Sequence, residues 1–244
     1  MRRDISITQQ RGVFSFLNPY SYLHLRKNAV AEELDGFYLD GVALVWLWNL
    51  FGRQQVRRIS FDMTSLAPVL FNRACAEGAT VYFVGSKQDV VDRAVATFQE
   101  QYPTLNVIGY RHGYFESESE WRDAAVGIAT LNPDLIIVGM GAPLQEKFLI
   151  EVRQSGWHGL GFTCGGFLHQ TASKGIRYYP RIVDKLNLRW AFRILDEPRL
   201  LWRYAIDYPR GLLVFLADTT KGKIAVRVDE AFPSPLLRIN NGKR

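Results

Sequence analysis

The segment Thr80–Gln101, TVYFVGSKQDVVDRAVATFQEQ, is predicted to be one β-strand followed by one α-helix. Its first five residues are β-branched or aromatic, a composition typical of strands. A tight turn at Gly85 then leads into a predicted helix over Lys87–Gln101, and Ser86 and Asp89 have the spacing of a capping box. A strand that passes directly into a helix is the repeating unit of α/β folds.

The same alternation of strands and helices extends from residue 13 to residue 166. Further strands are predicted at Val13–Leu17, Phe37–Leu39, a run ending near Phe61, Leu105–Ile108, Asp134–Val138 and Leu160–Cys164. Further helices are predicted at 20–33, Val42–Phe51, Leu66–Glu77, Glu116–Leu131 and Leu144–Gln154. The later strands are continuous apolar runs, which is typical of parallel strands covered on both faces. The sequence therefore predicts an α/β fold with a mostly parallel sheet and helices on both faces.

The composition limits the class of protein. A hydrophobic content of 48% with 13% aromatic residues excludes a generally disordered chain. Cys75 and Cys164 have no metal-ligand spacing and suggest no disulfide framework, so we expect a reducing, cytoplasmic compartment. The N-terminal MRRDISITQQRG lacks the apolar segment of a secretory signal, and no run approaches the roughly 18 apolar residues of a spanning helix.

The basic surplus of the chain lies in its C-terminal part. The formal net charge of the 244 residues is +6. Residues 172–244 carry 15 Lys/Arg against 7 Asp/Glu, a net charge of +8, whereas residues 1–171 carry 15 against 17, a net charge of −2. We expect an anionic partner at this part of the chain, which can be nucleic acid, a phosphorylated substrate or an anionic membrane surface.

The strand–helix alternation ends at residue 166, and the net charge becomes basic after residue 171. The sequence therefore predicts a core over residues 1–171 and a basic, amphipathic helical appendage over residues 172–244. Helices are predicted at Arg181–Leu195 and Arg199–Asp207, separated by Glu197-Pro198 because proline interrupts helical hydrogen bonding. Such arginine-bearing helices either pack on the domain with their charges in water or lie at a membrane interface. The apolar side of the appendage could also pack on a second copy of the chain, which allows a homo-oligomer.

The stretch Arg57–Ser65, RRISFDMTS, carries the leading candidate for a catalytic residue. Asp62 is predicted to lie where a strand turns into a helix, and open α/β sheets bind ligands at the carboxyl ends of their strands. The alternative is that Asp62 or Thr64 only caps the helix that follows. The sequence leaves both interpretations open at this point.

Glycine-rich turns follow several of the predicted strands. They occur at Asp40-Gly41, Gly85-Ser86, Gly109–Phe115, Gly139–Gln145 and Gly165-Gly166. Glycine lets a backbone approach a ligand closely and helix N-termini attract phosphate, so these turns fit a nucleotide-diphosphate pocket. None has the spacing of an NAD-type or ATP-type fingerprint. The four histidines are scattered and no Asp-x-Asp occurs, so neither a metal site nor any other cofactor is predicted.

The order of motifs along the chain resembles that of the WecG/TagA/CpsF family of bacterial glycosyltransferases, also known as glycosyltransferase family 26. The resemblance covers about residues 13–210. It is carried by Asn18, Asp40-Gly41, Arg58-x-x-x-Asp62, Tyr82–Gly85, Gly109-x-x-His112–Phe115, Val138–Glu146, Arg177-Tyr178-x-Pro180, Leu188-x-Trp190-x-x-Arg193, Glu197-Pro198-Arg199 and Arg203.

This resemblance implies a Rossmann-like core and a C-terminal appendage that helps close the site at the membrane. It implies inverting, metal-independent transfer of a sugar from a UDP-sugar to a polyprenyl-diphosphate-linked saccharide, by an enzyme at the inner face of the cell membrane. The sequence around Asp62 resembles that of family members that act in exopolysaccharide assembly, including glucosyltransferases of the xanthan type, more closely than that of other members. UDP-glucose is therefore the expected donor, with a UDP-N-acetylmannosamine-type donor as the alternative.

Within this interpretation Asp62 is the expected general base, and we expect partial burial to raise its pKa toward a useful range. Asp40 is the second candidate for the base, and Gln145 is expected to hold the donor through its amide. The other candidate substrate contacts are Asn18, Arg58, Thr64, Gly85, Gly109, His112, Gly139, Gly141 and Glu146. Arg177, Arg193, Arg199 and Arg203 are candidates for diphosphate contacts because guanidinium matches phosphate geometry.

Two other classes of function compete with this hypothesis. A nucleic-acid-binding protein would explain the basic C-terminus, but no recognised module is present and the arginines lie on apolar helices, so no nucleic-acid partner is expected. A regulator that binds a nucleotide sugar without catalysis would share the glycine-rich turns. Release of UDP that depends on an acceptor would distinguish the enzyme from this regulator.

Overall fold

The computed structural model of the protein describes residues 6–52, 54–176, 178, 180, 182–183, 188–227 and 235–239. Its strands are β1 (Gly12–Leu17), β2 (Gly36–Leu39), β3 (Thr80–Gly85), β4 (Asn106–Arg111), β5 (Leu135–Gly139), β6 (Leu160–Thr163), β7 (Ile224–Arg227) and β8 (Leu236–Ile239). The helices of the first half are α1 (Pro19–Leu25), α2 (Val30–Glu33), α3 (Val42–Phe51), α4 (Leu66–Glu77) and α5 (Gln88–Gln101). They are followed by α6 (Glu118–Leu131), α7 (Leu144–Gln154), α8 (Phe167–Lys174), α9 (Arg189–Asp196) and α10 (Tyr208–Thr220).

The strands form one mixed sheet in the order β4-β3-β5-β6-β1-β2-β8-β7. Every pair from β4 to β2 is parallel, whereas β8 runs antiparallel to β2 and β7 antiparallel to β8. The predicted α/β class with a mostly parallel sheet is therefore confirmed. The helices that follow β3 and β5 lie on opposite faces of the sheet, as do the helices that follow β1 and β6. Such switch points open crevices at the carboxyl ends of the strands.

Helices cover both faces of the sheet, as predicted. Successive side chains of each strand point to opposite faces, so each central strand contributes apolar residues to both. Phe83 of β3 joins the core cluster that includes Phe71 of α4, Phe98 of α5 and Phe167 of α8. Its neighbour Val84 joins the cluster on the other face, which includes residues of α1, α3, α7 and α10. The sheet is therefore buried on both faces, which explains the continuous apolar runs of its central strands.

Three local predictions were wrong. Residues 20–33 form α1 and α2 rather than one helix. The run that ends near Phe61 pairs with no strand among the described residues, although Ile59 donates its N–H to Leu39 O, 2.9 Å away. Ser86 does not cap α5 because it has a positive φ of 58°, and the N-cap position belongs to Lys87. Each error concerns a boundary or a turn rather than the order of the elements.

The C-terminal part contains helices, as predicted, but it also contributes strands that the sequence did not suggest. The first predicted helix, Arg181–Leu195, is not continuous, because Leu188 is the N-cap residue of α9; residues 181 and 184–187 lie outside the described residues. The second predicted helix extends beyond Asp207, through a π-helical turn at Arg203–Asp207, into α10. After α10 the chain returns as β7 and β8, which extend the sheet beyond β2. The division of the chain at residue 171 stays a prediction.

A buried ion pair joins α10 to α1. The Asp218 carboxylate, 6% exposed, accepts hydrogen bonds from Arg26 Nε at 2.7 Å, Arg26 Nη2 at 3.0 Å and the Tyr22 hydroxyl at 2.7 Å. The two helices also approach closely, since a Cβ on Gly211 would lie 2.2 Å from Pro19 O. Helix α10 is therefore fixed to the core, although it belongs to the basic C-terminal part.

Candidate active site

The candidate residues gather along the carboxyl edge of the parallel strands. Asn18 and Asp40 directly follow β1 and β2, and the Gly165-Gly166 turn lies just beyond β6. The turn that carries Asp62 is held over this edge by Phe61, whose ring packs 6.0 Å from Phe16 of β1 and 5.9 Å from Phe162 of β6. Asp62 is thus positioned near the β1–β6 switch point without belonging to a strand of the sheet.

Both carboxylate oxygens of Asp62 accept hydrogen bonds. Oδ1 accepts from the backbone N–H of Thr64 at 2.8 Å and from its hydroxyl at 2.6 Å. Oδ2 accepts from Arg189 Nη1 of α9 at 2.7 Å, and Arg189 Nη2 also donates to Thr64 Oγ1. The side chains of Asp62 and Arg189 are each 13% exposed. The three residues form a closed ring between the core and α9.

The expectation that burial raises the pKa of Asp62 is wrong in its net result. Burial does raise the pKa of this carboxyl group, but the charge of Arg189 and the hydrogen bonds from Thr64 outweigh it, so the pKa is lowered. Asp62 is therefore held as a carboxylate, which can accept a proton but is a weaker base than an isolated Asp.

The alternative that Asp62 or Thr64 caps α4 is not what the local geometry shows. The N-cap residue of α4 is Ser65, whose side chain makes no capping hydrogen bond. Instead, the bond from Thr64 N to Asp62 Oδ1 closes a turn of the Asx type before the helix begins. The carboxylate is thereby oriented by its own turn, and its second oxygen points at α9.

Asp40 and Arg58 form a second charged pair on the same edge. Arg58 Nη2 lies 2.8 Å from Asp40 Oδ1, and Arg58 Nε donates to the backbone oxygen of Asp40 at 2.6 Å. Tyr208 at the start of α10 lies near this pair: burial, followed by neighbouring Tyr204 and Asp40, raises its pKa, whereas Arg193 lowers it. The site is thus lined by residues of the core and of the C-terminal part.

Asn18 is the N-cap residue of α1. Its Oδ1 accepts from Ser21 N at 2.9 Å, and its own N–H donates to Ser21 Oγ at 2.9 Å, which is a capping box at the start of α1. Asn18 also packs against Gly41, where an added Cβ would lie 3.3 Å from Asn18 Cα. A contact between Asn18 and a substrate stays a prediction.

A buried polar chain lies beneath the β1–β6 edge. Glu146, which is fully buried, accepts at Oε1 from Ser15 Oγ at 2.7 Å and from Gln145 Nε2 at 2.9 Å. Gln145 Oε1 in turn accepts from Gly165 N at 3.0 Å, so both ends of its amide are bonded to protein. Burial is the largest cause that raises the pKa of Glu146. The chain fixes the Gly165-Gly166 turn; a donor contact by Gln145 or Glu146 remains a prediction.

Several of the predicted glycines are required by packing within the protein. A Cβ on Gly85, at φ +147°, would lie 2.2 Å from Gly139 O, and one on Gly139 would lie 2.7 Å from Cys164 Sγ. Gly109 belongs to β4 rather than to a loop. The ring of Tyr82 covers it, and an added Cβ would lie 2.5 Å from that ring. Gly141 differs from these, because at φ +80° it has open space around it.

The remaining predicted contacts are spread along the edge and the appendage. His112 follows β4, and its N–H donates to Gln88 Oε1 at 3.2 Å. Arg193 lies over the β6 turn, 3.5 Å from a Cβ added to Gly166, and pairs with Glu197 at 3.4 Å. Arg203 stacks 4.0 Å above the ring of Tyr20, whereas the Arg199 side chain is 80% exposed. Arg177 lies outside the described residues.

In the part of the chain that the structure describes, no group of three or more His, Cys, Asp or Glu side chains is placed to hold a metal ion. Among the described helices, none combines the length and the apolar character needed to cross a bilayer.

Sequence comparison identifies the family. The sequence model described as "Glycosyl transferase WecG/TagA/CpsF family" matches residues 2–224. The protein belongs to this family. The expected resemblance is thus confirmed, and the protein is a glycosyltransferase.

Curated relatives of this WecG/TagA/CpsF glycosyltransferase carry named activities. A UDP-Gal:alpha-D-GlcNAc-diphosphoundecaprenol beta-1,4-galactosyltransferase of Shigella boydii is 33% identical over 207 residues, 85% of this chain and 86% of the relative. An N-acetylglucosaminyldiphosphoundecaprenol N-acetyl-beta-D-mannosaminyltransferase of Bacillus subtilis is 27% identical over 185 residues, 75% and 69% of the two chains. The enzyme of the same name from Bacillus spizizenii is 26% identical over 192 residues, 78% and 72%.

Sequence reasoning missed two residues that the structure places in the candidate site of this glycosyltransferase, Arg189 and Tyr208. In the sequence, Arg189 is one of several arginines on a predicted amphipathic helix. Its partner Asp62 is 127 positions away, and nothing in the local pattern distinguishes it from Arg193 or Arg199. The one available signal was its position beside the Leu188-x-Trp190 motif.

Proposed function

We propose that this glycosyltransferase moves a hexose from a UDP-sugar to the sugar of a polyprenyl-diphosphate-linked acceptor. The observation that carries the proposal comes from the relatives: the Shigella and Bacillus enzymes are named for different transferred sugars but for the same acceptor, GlcNAc on diphosphoundecaprenol. The shared acceptor is the feature most readily transferred to this chain. We therefore assign it an acceptor of this lipid-linked class, in the synthesis of an exopolysaccharide or another surface glycan.

The chemical step is a single displacement at the anomeric carbon. The acceptor hydroxyl oxygen forms a bond to that carbon while the bond to the UDP oxygen breaks, and UDP leaves with the electron pair. Asp62 accepts the proton of the attacking hydroxyl, since it is held as a carboxylate at the carboxyl edge. A single displacement inverts the configuration at the anomeric carbon.

The departing diphosphate needs positive charge in its surroundings. We assign this role to arginines of the C-terminal part rather than to a metal ion. Arg193 lies against Gly166 at the β6 edge, and Arg203 lies over Tyr20 of α1, the helix that follows β1. Gly141, which follows β5, has open space where a side chain would lie and so leaves room for a phosphate on the same edge.

The donor is proposed to be a UDP-hexose without an N-acetyl group. UDP-glucose is the expectation from the sequence around Asp62, and the 33% identical relative is named for UDP-galactose, its 4-epimer. The alternative is a UDP-N-acetylmannosamine-type donor, as the names of the Bacillus relatives suggest.

The proposed membrane contact is an apolar surface on one side of the molecule. Helix α3 packs on α10 through Trp48 and Phe215, whose ring centroids are 6.3 Å apart. On and beside these two helices, exposed apolar side chains are concentrated at Trp46, Leu50, Phe51, Trp202, Ile206 and Leu213. Tryptophans with nearby arginines are typical of proteins bound at the inner membrane surface. We call these six residues the apolar surface.

The test is UDP release from a panel of UDP-sugars, with synthetic polyprenyl-diphosphate-GlcNAc as acceptor and EDTA present. We expect release that depends on acceptor with UDP-glucose or UDP-galactose, and its loss in Asp62→Asn. Turnover with UDP-N-acetylmannosamine alone would replace the proposed donor. Binding of UDP without any turnover would contradict the enzyme proposal and favour a regulator, and a requirement for added Mg²⁺ would overturn the role given to the arginines.

A further inference from the structure

Arg189 is the charged residue of the C-terminal part that contacts the candidate base directly. Its Nη1 lies 2.7 Å from Asp62 Oδ2, and its Nη2 donates to Thr64 Oγ1, which itself donates to Asp62 Oδ1 at 2.6 Å. A fork of two donors therefore grips both the carboxylate and its neighbouring hydroxyl. Such a planar, two-pronged contact fixes orientation as well as charge.

The other arginine on this face of α9 is engaged differently. Arg193 is one helical turn further along and lies 3.4 Å from Glu197, in its own segment. The guanidinium of Arg189 instead reaches across to the core, over 127 positions of sequence. The two arginines of α9 thus have different neighbours: Arg189 contacts the candidate base, and Arg193 lies beside the turn after β6.

We propose that Arg189 is a positioning residue for the reaction: its guanidinium orients the Asp62 carboxylate toward the acceptor hydroxyl and keeps it in the charged form. This inference rests on the proposed function of Asp62 as the base. It assigns Arg189 no contact with the diphosphate, in contrast to the arginines considered above.

The electrostatic surroundings of Asp62 support this role. The charged group acting most strongly on it is Arg189, and the other influences are burial and hydrogen bonds within its own turn. Burial alone would favour the protonated acid, which cannot take a proton from the acceptor. A cation at 2.7 Å reverses that preference, so the base stays available when the pH falls.

Helix α9 has a second attachment that allows the charge of Arg189 to be separated from simple docking. At its other end Asp196 accepts from Tyr178 Oη at 2.6 Å and pairs with Lys174 of α8. Asp196→Asn weakens the attachment of α9 without changing the charge beside Asp62. It is therefore the matched control for Arg189→Gln.

The experiment is the pH profile of kcat/KM for the full chain, with the donor and acceptor that turn over. In Arg189→Gln we expect a loss of about tenfold at neutral pH and an acidic limb displaced to higher pH, with the KM for the acceptor changed less than about twofold. Arg189→Lys should return the limb toward its original position, whereas Asp196→Asn should leave it in place. In an Asp62→Asn background, Arg189→Gln should cause little further loss, because the two residues act as one unit.

Three results would overturn the inference. An unmoved acidic limb in Arg189→Gln would reduce Arg189 to an attachment point of α9, as would equal limb shifts in Arg189→Gln and Asp196→Asn. A large rise in the acceptor KM with an unmoved limb would make it a substrate ligand.

A readout without turnover keeps this test separate from the proposed function. Hydrogen exchange at neutral pH should show reduced protection of α9 in both Arg189→Gln and Asp62→Asn. The protection of α9 should be unchanged in Arg122→Gln, a surface control on α6. If these variants behave as expected while no donor turns over, the ion pair holds and the proposed function fails. Unchanged protection in both variants would contradict the contact itself.

Discussion

Glu146 is a fully buried carboxyl group whose hydrogen bonds come from neutral partners. Ser15 and Gln145 donate to its Oε1, while Oε2 has no hydrogen-bond partner within the described residues. Burial penalises the charged form, which is why the pKa of Glu146 is raised above its ordinary value. At the residue scale, the two carboxyl groups near the β1–β6 edge therefore differ in charge tendency: Asp62 is held ionised and Glu146 is pushed toward the neutral acid.

This difference predicts a pH-dependent stability for Glu146. Because its folded pKa lies above the unfolded value, the folded protein binds this proton more tightly, and stability is lost as the pH rises through that interval. Glu146→Gln lacks the titration, so its unfolding free energy should improve relative to the wild type between pH 5 and pH 8. Urea unfolding at both pH values measures this, with the exposed Glu118→Gln as control. A difference that stays constant with pH would contradict the prediction.

Asp62 is predicted to be the residue whose removal costs the most activity. Asp62→Asn keeps the shape of the side chain but removes the proposed base, so we expect kcat to fall about 10²–10⁴-fold. UDP binding should change little, whereas the thermal unfolding temperature should fall because the ion pair with Arg189 is lost. Retention of most of kcat in a folded variant would transfer the role of base to Asp40, whose carboxylate now pairs with Arg58.

Among the elements, the ends of β3 and β5 meet so closely that only glycine fits. A Cβ on Gly85 would lie 2.2 Å from Gly139 O, and its φ of +147° is unfavourable for other residues. Gly85→Ala should therefore destabilise the protein by more than about 1 kcal/mol in urea unfolding. Gly127, inside α6, is the matched comparison, because nothing lies within 4 Å of its added Cβ. Gly127→Ala should stabilise by about 0.5–1 kcal/mol, and equal effects of the two changes would refute this account.

The attachment of α10 to α1 should depend strongly on Asp218. Removing one partner of a buried ion pair costs about 3–5 kcal/mol, so Asp218→Ala should lower the unfolding free energy by that order. Arg26 and Tyr22 outweigh burial and lower the folded pKa of Asp218, so its contribution is present above the unfolded pKa and disappears as the pH falls through the folded one. Denaturation at neutral and acidic pH tests both points, with the exposed Asp123→Ala as control. A variant as stable as the wild type would show that α10 is held by apolar packing alone.

Elements with strong local signals were predictable, and those that depend on distant pairing were not. The strand–helix unit of Thr80–Gln101 and the helix Leu144–Gln154 follow directly from apolar pattern and turn residues. By contrast, β7 and β8 are four residues each, and the pairing of β8 with β2 joins Phe37 to Leu237, positions about 200 residues apart. The same physical reason applies to the site. The turn that orients Asp62 is local, whereas its contact with Arg189 exists only in the folded chain.

On the scale of the whole molecule, the apolar surface and the candidate site both involve the C-terminal part. Leu213 lies on α10, and Trp202 and Ile206 precede it, while Arg189 and Arg193 of α9 face the site. Under the proposed function, contact of the apolar surface with a bilayer would bring the C-terminal part, which also lines the candidate site, to the membrane that holds the lipid-linked acceptor.

Vesicle binding tests that arrangement. Trp202→Ser with Leu213→Ser should weaken binding to anionic vesicles by about tenfold or more, because each change removes a large exposed apolar side chain. Val126→Ser, an exposed apolar position on α6, is the matched control and should bind as the wild type does. Binding to anionic vesicles should also weaken with added salt. Undiminished binding of the double variant would place the membrane contact elsewhere.

The anchoring of α10 by Asp218 has a consequence for how far α9 can travel. Helix α8 before it and α10 after it both pack on the core, so α9 is a span tethered at two ends. If the contact with Asp62 opens, Arg189 remains at a high effective concentration near its partner, which for short tethers is in the millimolar range or above. Arg189 can then pair with Asp62 again without a search through solution, because both ends of α9 stay attached to the core.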